Sequence, residues 1–363
     1  MTRWRRWGRR ALAALATLAI LLSFLPAWQT DRWWVRQWDY PRLQVAAVLL
    51  VILPLLFWAA YRRTAGFWAL TAGSAAALAW QVTHFVAYLP PYPRQVASTD
   101  RCAPGETISL LNANVLQTNR DYDAVLQLVA AKQPDILLAL ETGPDWARAM
   151  VPLKKAYPYR LVEPVPSTYG MMLFSKLPMR GEVRNLLQPA VPSAWTQVQL
   201  RGGQWIDFYA LHPEPPWPGD DSGERDAELL TVGKQVRAKG RAAIVMGDLN
   251  DVAWSYTSRL FKRVAGMHDP RVGRGFYPTF NANYPLLRWP LDHLFVSPHF
   301  KVMQVDLLKD VGSDHLPIYF KLCLTDRAGE REVAPAVGPA TAAEANEEIG
   351  EGRQESHEEN RGE

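Results

Sequence analysis

Apolar and polar positions follow three different rhythms along this chain. Over residues 11–30, 43–61 and 64–93 there is no alternation, and no Asp, Glu, Lys or Arg interrupts runs rich in Leu, Ala, Val, Ile and Trp. About 20 apolar residues span a hydrocarbon core as a helix. Trp7, Trp28, Trp33, Trp34, Trp38, Trp58 and Tyr61 stand near the ends of these runs, where amphipathic rings settle at the lipid–water interface. The pattern predicts a membrane anchor over residues 1–94 with about three transmembrane helices, near 11–30, 43–61 and 64–88. A signal peptide over residues 1–30 is the alternative, but it leaves the second and third runs unexplained.

From about residue 106 to 323 the rhythm shortens. Ile108–Asn112, Ile136–Leu140, residues 169–175, 195–200, 204–211, Ala242–Met246, Leu291–Val296 and Ile318–Leu322 read as strands. Between them, Tyr122, Val125, Leu126 and Val129 fall at helical spacing, as do Leu229, Val232 and Val236 after the cap candidate Ser222. Many strands with few helices suggest a layered α/β sandwich. Residues 95–105 read as a linker. Beyond residue 323 the periodicity stops: 324–363 is rich in Glu, Ala, Pro and Gly, and reads as a disordered acidic tail.

Charge sharpens this division. The formal net charge of +4 hides local values of +8 over 1–100, +3 over 101–323 and −7 over 324–363. A near-neutral central domain is a poor footprint for a nucleic-acid reader. Two cysteines are too few for a zinc ribbon. Arg3, Arg5, Arg6, Arg9 and Arg10, with Arg62 and Arg63, mark cytoplasmic segments under the positive-inside rule. Three spans then place residues 95 onward on the non-cytoplasmic side of a multi-pass protein of the cell (inner) membrane. A transporter is disfavoured, since His84 alone supplies an ionisable group within the runs.

Candidate chemistry sits where the apolar runs end. Asn114 follows the first strand, Glu141 ends the second, and His212 ends the hairpin across Gly202-Gly203. Asp248 and Asn250 follow Met246, Asp292 follows Leu291, and Ser313-Asp314-His315 precedes the last strand. Any one of these has an ordinary explanation as a turn former or cap. Gathered on one edge, they would suit Mg2+ or Mn2+ and the hydrolysis of a phosphate ester.

The serial order resembles the endonuclease/exonuclease/phosphatase superfamily, over roughly residues 106–322. It runs Asn114-Val115, Pro134-Asp135-Ile136 with Glu141, Leu211-His212, Gly247-Asp248-Leu249-Asn250, Leu291-Asp292-His293 and Ser313-Asp314-His315-Leu316-Pro317-Ile318. The apolar lead resembles a membrane-anchored bacterial branch. The resemblance implies a four-layer α/β/β/α sandwich (DNase I-like). It implies Glu141 as principal Mg2+ (or Mn2+) ligand, with Asn114 and Asp314 assisting. Asp248 would orient or deprotonate the attacking water, and Asn250 would donate to a phosphate oxygen. His315, held by Asp292, would touch the phosphate, and His212 would serve the transition-state oxygens or the leaving group.

A membrane-tethered phosphoesterase is the reading that follows, with a lipid head group, nucleotide or nucleic acid as the phosphate-ester substrate and no obligate protein partner. A nuclease outside the cytoplasm and a non-catalytic scaffold are the alternatives. Leu116 stands where some DNA-repair members carry an Asp, which makes that type a poorer match. Arg271, Arg274 and Arg288 are candidates for holding an anionic head group, with ordinary solvated arginines as the alternative. Arg225 reads as structural, and Trp217 as a pocket rim. The superfamily's pairing of first and last strands would bring Cys102 near Cys323. A bridge on an oxidising far side and free buried thiols both remain open.

Overall fold

The computed structural model describes residues 3–60, 65–216, 218–325 and 336–362. Two compact units divide the chain, one over residues 1–89 with 216–221 and one over 90–215 with 222–363.

The first unit holds α1 (Arg3–Phe24), the single-turn α2 (Trp33–Arg36), α3 (Arg42–Ala60) and α4 (Ala65–Phe85). Ala16 and Ala19 of α1 pack with Leu49, Ile52 and Leu56 of α3 and Ala77 of α4. One polar node lies inside. Arg42 donates to Asp39 (2.6 and 3.1 Å) and to Gln81 (3.0 Å), and Gln81 donates to Ser23 (3.2 Å). Burying Arg42 is tolerable because the guanidinium is paired and bonded.

Among the described residues, two helices are long and apolar enough to cross a membrane, Arg6–Ala27 and Arg42–Ala59. This corrects the expected three. The third run does form a helix, α4, but Gly66, Thr71, Gly73, Ser74, Gln81, Thr83 and His84 dilute it. The argument from an odd number of spans falls with it. Tyr61, Arg62, Arg63 and Trp217 lie outside the described residues.

The second unit is the expected four-layer sandwich. In chain order it comprises β1 (Thr107–Asn114), α5 (Tyr122–Lys132), β2 (Ile136–Leu140), α6 (Pro144–Ala149), β3 (Tyr159–Glu163), β4 (Met171–Ser175), β5 (Met179–Asn185), β6 (Pro192–Gln199), β7 (Trp205–Leu211), α7 (Gly223–Lys239), β8 (Ala243–Asp248), α8 (Tyr256–Ala265), β9 (Asp292–Val296), β10 (Phe300–Leu307), β11 (Ile318–Leu324) and α9 (Pro339–Gly362). One sheet runs β10-β11-β1-β2-β4-β3 and the other β5-β6-β7-β8-β9.

Strand alternation sorts the side chains into layers. Ile108, Leu110, Ile136, Leu138, Leu173, Phe208, Ile244, Met246, Leu294 and Phe320 fill the space between the sheets. Their neighbours Leu111, Leu137, Met172 and Phe174 turn outward and pack with Val125 and Val129 of α5 and Trp146 of α6. On the other side Tyr209, Val245 and Phe295 meet Leu229 and Val232 of α7 and Phe261 of α8.

Two expectations change, and one open question closes. The acidic tail is not disordered over Pro339–Gly362: it is helix α9. Its buried positions, Ala345, Ile349, Gly352 and Ser356, recur at helical spacing. A buried stripe at that spacing is the face by which an amphipathic helix packs on its neighbour. Tyr256 donates to Glu344 (2.6 Å) and Lys234 to Asn346 (2.7 Å), which fastens it. Residues 326–335 lie outside the described residues. The linker over 95–105 is part of the unit, since Val96 joins the inter-sheet core and Ser98 bridges to Val302. Finally, β1 pairs antiparallel with β11, and Cys102 and Cys323 form a disulfide, closing a sequence separation of 221.

Candidate active site

The inner-face stripe of each strand carries the site. On β1 the inward positions run Ile108, Leu110, then Asn112 and Asn114. On β7 they run Ile206, Phe208, Ala210, and the next inward position is His212. On β8 they run Ile244, Met246, Asp248. On β9, which runs the other way, they run Asp292, Leu294, Val296. The stripe therefore turns from apolar to polar at one end of the sandwich, and Asp248 pairs directly with Asp292 in the β8–β9 register.

Glu141 has the wrong parity for this face. Its backbone is left-handed (φ 56°), an uncommon conformation for a non-glycine residue. The twist brings its carboxylate to Asn114. Gly247 solves a different problem. At φ 155° it lies so close to the Leu211 carbonyl that a Cβ would collide with it.

These elements join five side chains into one chain of three hydrogen bonds and one ion-pair contact. Asn114 Nδ2 donates to Glu141 Oε1 (2.8 Å) and to Asp248 Oδ2 (3.1 Å). His315 Nε2 lies 3.4 Å from the same Asp248 oxygen, and its Nδ1 lies 2.8 Å from Asp292 Oδ2. The Asn250 N–H donates to Asp248 Oδ1 (3.0 Å), and its side-chain amide donates to the Pro213 carbonyl (2.9 Å). The Phe280 ring lies against His315 at 4.8 Å.

His212 is buried, and its Nδ1 has no hydrogen-bond partner; Asp314 Oδ1 is likewise buried and unpartnered. Asp314 feels His315 electrostatically. No hydrogen bond joins it to the five-residue chain among the described residues.

Burial alone would discharge His315, but Asp248 and Asp292 outweigh it and push the imidazolium up to about 10. Burial opposes ionisation of Asp248 too, yet His315 and His212 hold that carboxyl below its usual range. Burial, with Asp248 adding to it, pushes Asp292 up. Burial keeps His212 neutral by lowering it. Burial also pushes Glu141 up, against the pull of His212 and the Asn114 hydrogen bond.

A divalent cation fits this donor set. Four carboxylates, of Glu141, Asp248, Asp292 and Asp314, face a single imidazolium, and burying uncompensated negative charge is costly. Asp248, Asp292 and His315 offer ligand atoms within 4.8 Å of one another. An imidazolium clamped between two carboxylates has no lone pair to give, however. The oxygen-rich side at Glu141, next to Asn114, suits a hard cation better. Asn114 Oδ1 accepts from the Leu116 N–H (3.2 Å), so both Asn114 and Glu141 have local support.

Two groups of residues depart from expectation. Arg271, Arg274 and Arg288 do not form a free anion site. Arg271 is fully buried against Asp269, Arg274 donates to the Pro270 and Val96 carbonyls, and Arg288 donates to the Asn281 and Ala282 carbonyls. Asn112, absent from the sequence-based site, donates from Nδ2 to Asp292 Oδ1 (3.0 Å) across the two sheets. Its inward parity two residues before Asn114 was the available signal. Arg225 is buried, pairs with Asp226 and donates to the Asn250 carbonyl (2.8 Å), a structural part as expected.

The Endonuclease/Exonuclease/phosphatase family model matches residues 105–315. The chain belongs to that family. Family members are hydrolases that act on phosphate esters. No curated protein matches the chain. Among solved structures it is similar to an endonuclease/exonuclease/phosphatase from Beutenbergia cavernae DSM 12333, with 18% identity and a TM-score of 0.50, over 60% of this chain and 72% of that one. It is also similar to the human Nocturnin catalytic domain with bound sulfate anion, with 17% identity and a TM-score of 0.50, over 62% of this chain and 96% of that one. Both likenesses concern the fold.

Proposed function

We propose that this chain is a membrane-tethered, divalent-metal-dependent phosphoesterase that hydrolyses a phosphodiester or phosphomonoester by in-line attack of water. The observation that carries the reading is the continuous chain Glu141–Asn114–Asp248–His315–Asp292 at the polar end of the inter-sheet face.

Asp248 stays ionised at neutral pH and accepts a hydrogen bond from the attacking water, aligning it and drawing its proton. Asn250, through its N–H, and Asn114 hold that carboxylate in place. Asp292 holds the His315 ring, and the imidazolium is positioned to meet the non-bridging phosphate oxygens as charge builds there. His212, neutral and with Nδ1 unpartnered, serves the leaving-group oxygen. Asn250 would donate an amide hydrogen bond to a phosphate oxygen. Glu141, with Asn114 and Asp314 alongside, would hold Mg2+ or Mn2+, which polarises the phosphorus centre and offsets negative charge in the transition state.

The full chain in detergent should hydrolyse bis-p-nitrophenyl phosphate with Mg2+ or Mn2+ and stop on adding EDTA. Undiminished turnover in Asp248→Ala or His315→Ala sinks the proposal.

The disulfide supports an oxidising, non-cytoplasmic location for the hydrolytic unit. Two spans combined with the arginine-rich amino terminus argue for the opposite side. Alkaline phosphatase fused after residue 325 decides: activity is expected, and a dark fusion places the unit in the cytoplasm.

A further inference from the structure

One segment at the edge of the site is built unlike the rest of its surface. Residues 277–291 contain no Asp, Glu or Lys and a single Arg, Arg288. Both ends of the segment are fixed to the site. Thr279 Oγ1 accepts from the Asp292 N–H (3.2 Å), the Leu316 N–H donates to the Thr279 carbonyl (2.9 Å), and the Ala282 N–H donates to the Asp314 carbonyl (2.6 Å). The tip is held by its own turn, in which the Leu287 N–H donates to the Tyr284 carbonyl (2.8 Å) and Arg288 Nε to the Asn281 carbonyl (3.2 Å).

This tip puts apolar side chains into solvent. Tyr284 is 61% exposed, Leu286 87% and Leu287 48%, and Pro285 between them is exposed too. Among the described residues, the other exposed large apolar side chains of this unit are Tyr92, Val151, Tyr159 and Val162, no two of them adjacent in sequence. Single exposed apolar residues are ordinary, whereas a contiguous set marks an interaction site.

We propose that the loop over residues 277–291 docks on a lipid surface, so that the site takes the phosphoester of an amphiphilic lipid. The inference rests on the phosphoesterase reading above. The occupant is argued from the chain itself. Two of its helices are long and apolar enough to cross a membrane, and the two units are continuous at Leu89–Pro90. Covalent attachment holds the loop at high effective concentration near any bilayer that holds those helices. A tip with no carboxylate also meets no repulsion from anionic lipid. Leu286 is six residues along the chain from Phe280, whose ring lies on His315, so its Cα is at most about 20 Å from that of Phe280. That separation suits a head group in the site with its acyl chains beside Leu286 and Leu287.

The test uses the full chain in vesicles of phosphatidylcholine and phosphatidylglycerol in equal parts. An environment-sensitive fluorophore is attached through Leu286→Cys, and for comparison through Glu182→Cys on exposed β5; the native cysteines are bridged and do not compete. The label at 286 should emit to the blue and be quenched by nitroxide-bearing acyl chains, while the label at 182 is quenched only by aqueous iodide. A label at 286 that behaves like the one at 182 overturns the proposal. So does a blue-shifted label that lipid nitroxide does not reach and that reverts when copies are diluted in the membrane, since a second copy then covers the loop.

A kinetic measurement is independent of the label. In Leu286→Ser/Leu287→Ser, turnover of long-chain phospholipid relative to bis-p-nitrophenyl phosphate should fall about tenfold or more, because burial of a single leucine is worth on the order of a tenfold factor. An unchanged ratio overturns the docking role. Wild-type chain inert toward bis-p-nitrophenyl phosphate would overturn the hydrolase reading instead, while the fluorescence result still reports on docking.

Discussion

Asp292 and His293 are consecutive on β9, yet they enter two clusters of opposite character. Asp292 points inward to His315, whose two ring nitrogens both face carboxylates, and that ring is held as an imidazolium. His293 points outward. Its Nδ1 takes Arg271 Nη2 (2.8 Å) and its Nε2 meets the Asp251 carbonyl (2.8 Å). Burial and the neighbouring Arg271 push His293 down to about 3, so it is neutral. Arg271 meanwhile pairs with Asp269 through two contacts (2.9 and 3.0 Å), which, against the cost of burial, holds that carboxyl near 2. The outward cluster is a closed circuit. The inward one leaves His212 Nδ1 and Asp314 Oδ1 unpartnered and carries excess negative charge. The sign of the neighbours decides the charge of a buried histidine, and the open valences mark the cluster poised to meet a ligand.

The largest expected effect separates the two clusters by what they do. Asp248→Asn should lower turnover of bis-p-nitrophenyl phosphate about a thousandfold, within the range that general acid–base groups contribute. Its thermal midpoint should not fall, because the substitution removes one of several crowded carboxylates. Arg271→Met should do the reverse. Breaking a buried pair by removing one partner costs about 3–5 kcal/mol, so Tm in detergent drops while turnover per folded molecule stays within about tenfold. If Arg271→Met kept its Tm, or if Asp248→Asn kept its turnover, the division into closed and open clusters would be wrong.

A further buried acid sharpens the contrast, since no basic side chain among the described residues pairs with it. Glu228 on α7 is raised to about 8 by burial and by Glu224 and Glu214, against a hydrogen bond from the Leu187 N–H. Its carboxyl is thus neutral at pH 7 in the folded chain and ionised in the unfolded one. Between the ordinary glutamate value and about 8 the folded state binds more protons, so stability falls as pH rises and levels off above that. Across pH 6–8 this one group contributes a loss of up to about 2–3 kcal/mol. Glu228→Gln keeps the shape without the titration and should flatten the decline of Tm over that interval. An equal slope in variant and wild type would show that the acid finds a partner.

Legibility followed periodicity. Alternating runs in the 106–323 segment marked the inner faces, and polar residues just past these runs gather at one end of the sandwich as the candidate site, because a strand's parity persists beyond its apolar stretch. Glu141 broke parity: the end of the second run marked it as a candidate, but the left-handed backbone that turns its carboxylate to Asn114 leaves no periodic trace. Helix α9 was missed because composition averages over a stripe. Ala345, Ile349, Gly352 and Ser356 are four buried positions in a polar segment, and Gly352 lies so close to Gly223 of α7 that a Cβ would collide with it. The three arginines before Asp292 misled for the opposite reason: their charge was visible, while the carbonyls and the Asp269 carboxylate that absorb it were not.

Asn112 tests that lesson at its weakest link. It is inward by parity, fully buried, and its amide ties Asp292 across the sandwich at 3.0 Å. Without that donor Asp292 keeps His315 as a partner but loses its anchor on the opposite sheet. Asn112→Ala should therefore lower kcat by about tenfold to a hundredfold, as expected for a residue that orients another, with KM little changed. Packing is separated from positioning by Asn112→Asp, which is nearly the same shape. If Asn112 only fills space, the Asp variant should outperform Ala. If it positions Asp292, a second carboxyl facing the first is repulsive, and the order becomes wild type, Ala, Asp. Turnover of the three proteins at equal folded concentration distinguishes the two, and an Asp variant near wild type would remove Asn112 from the machinery.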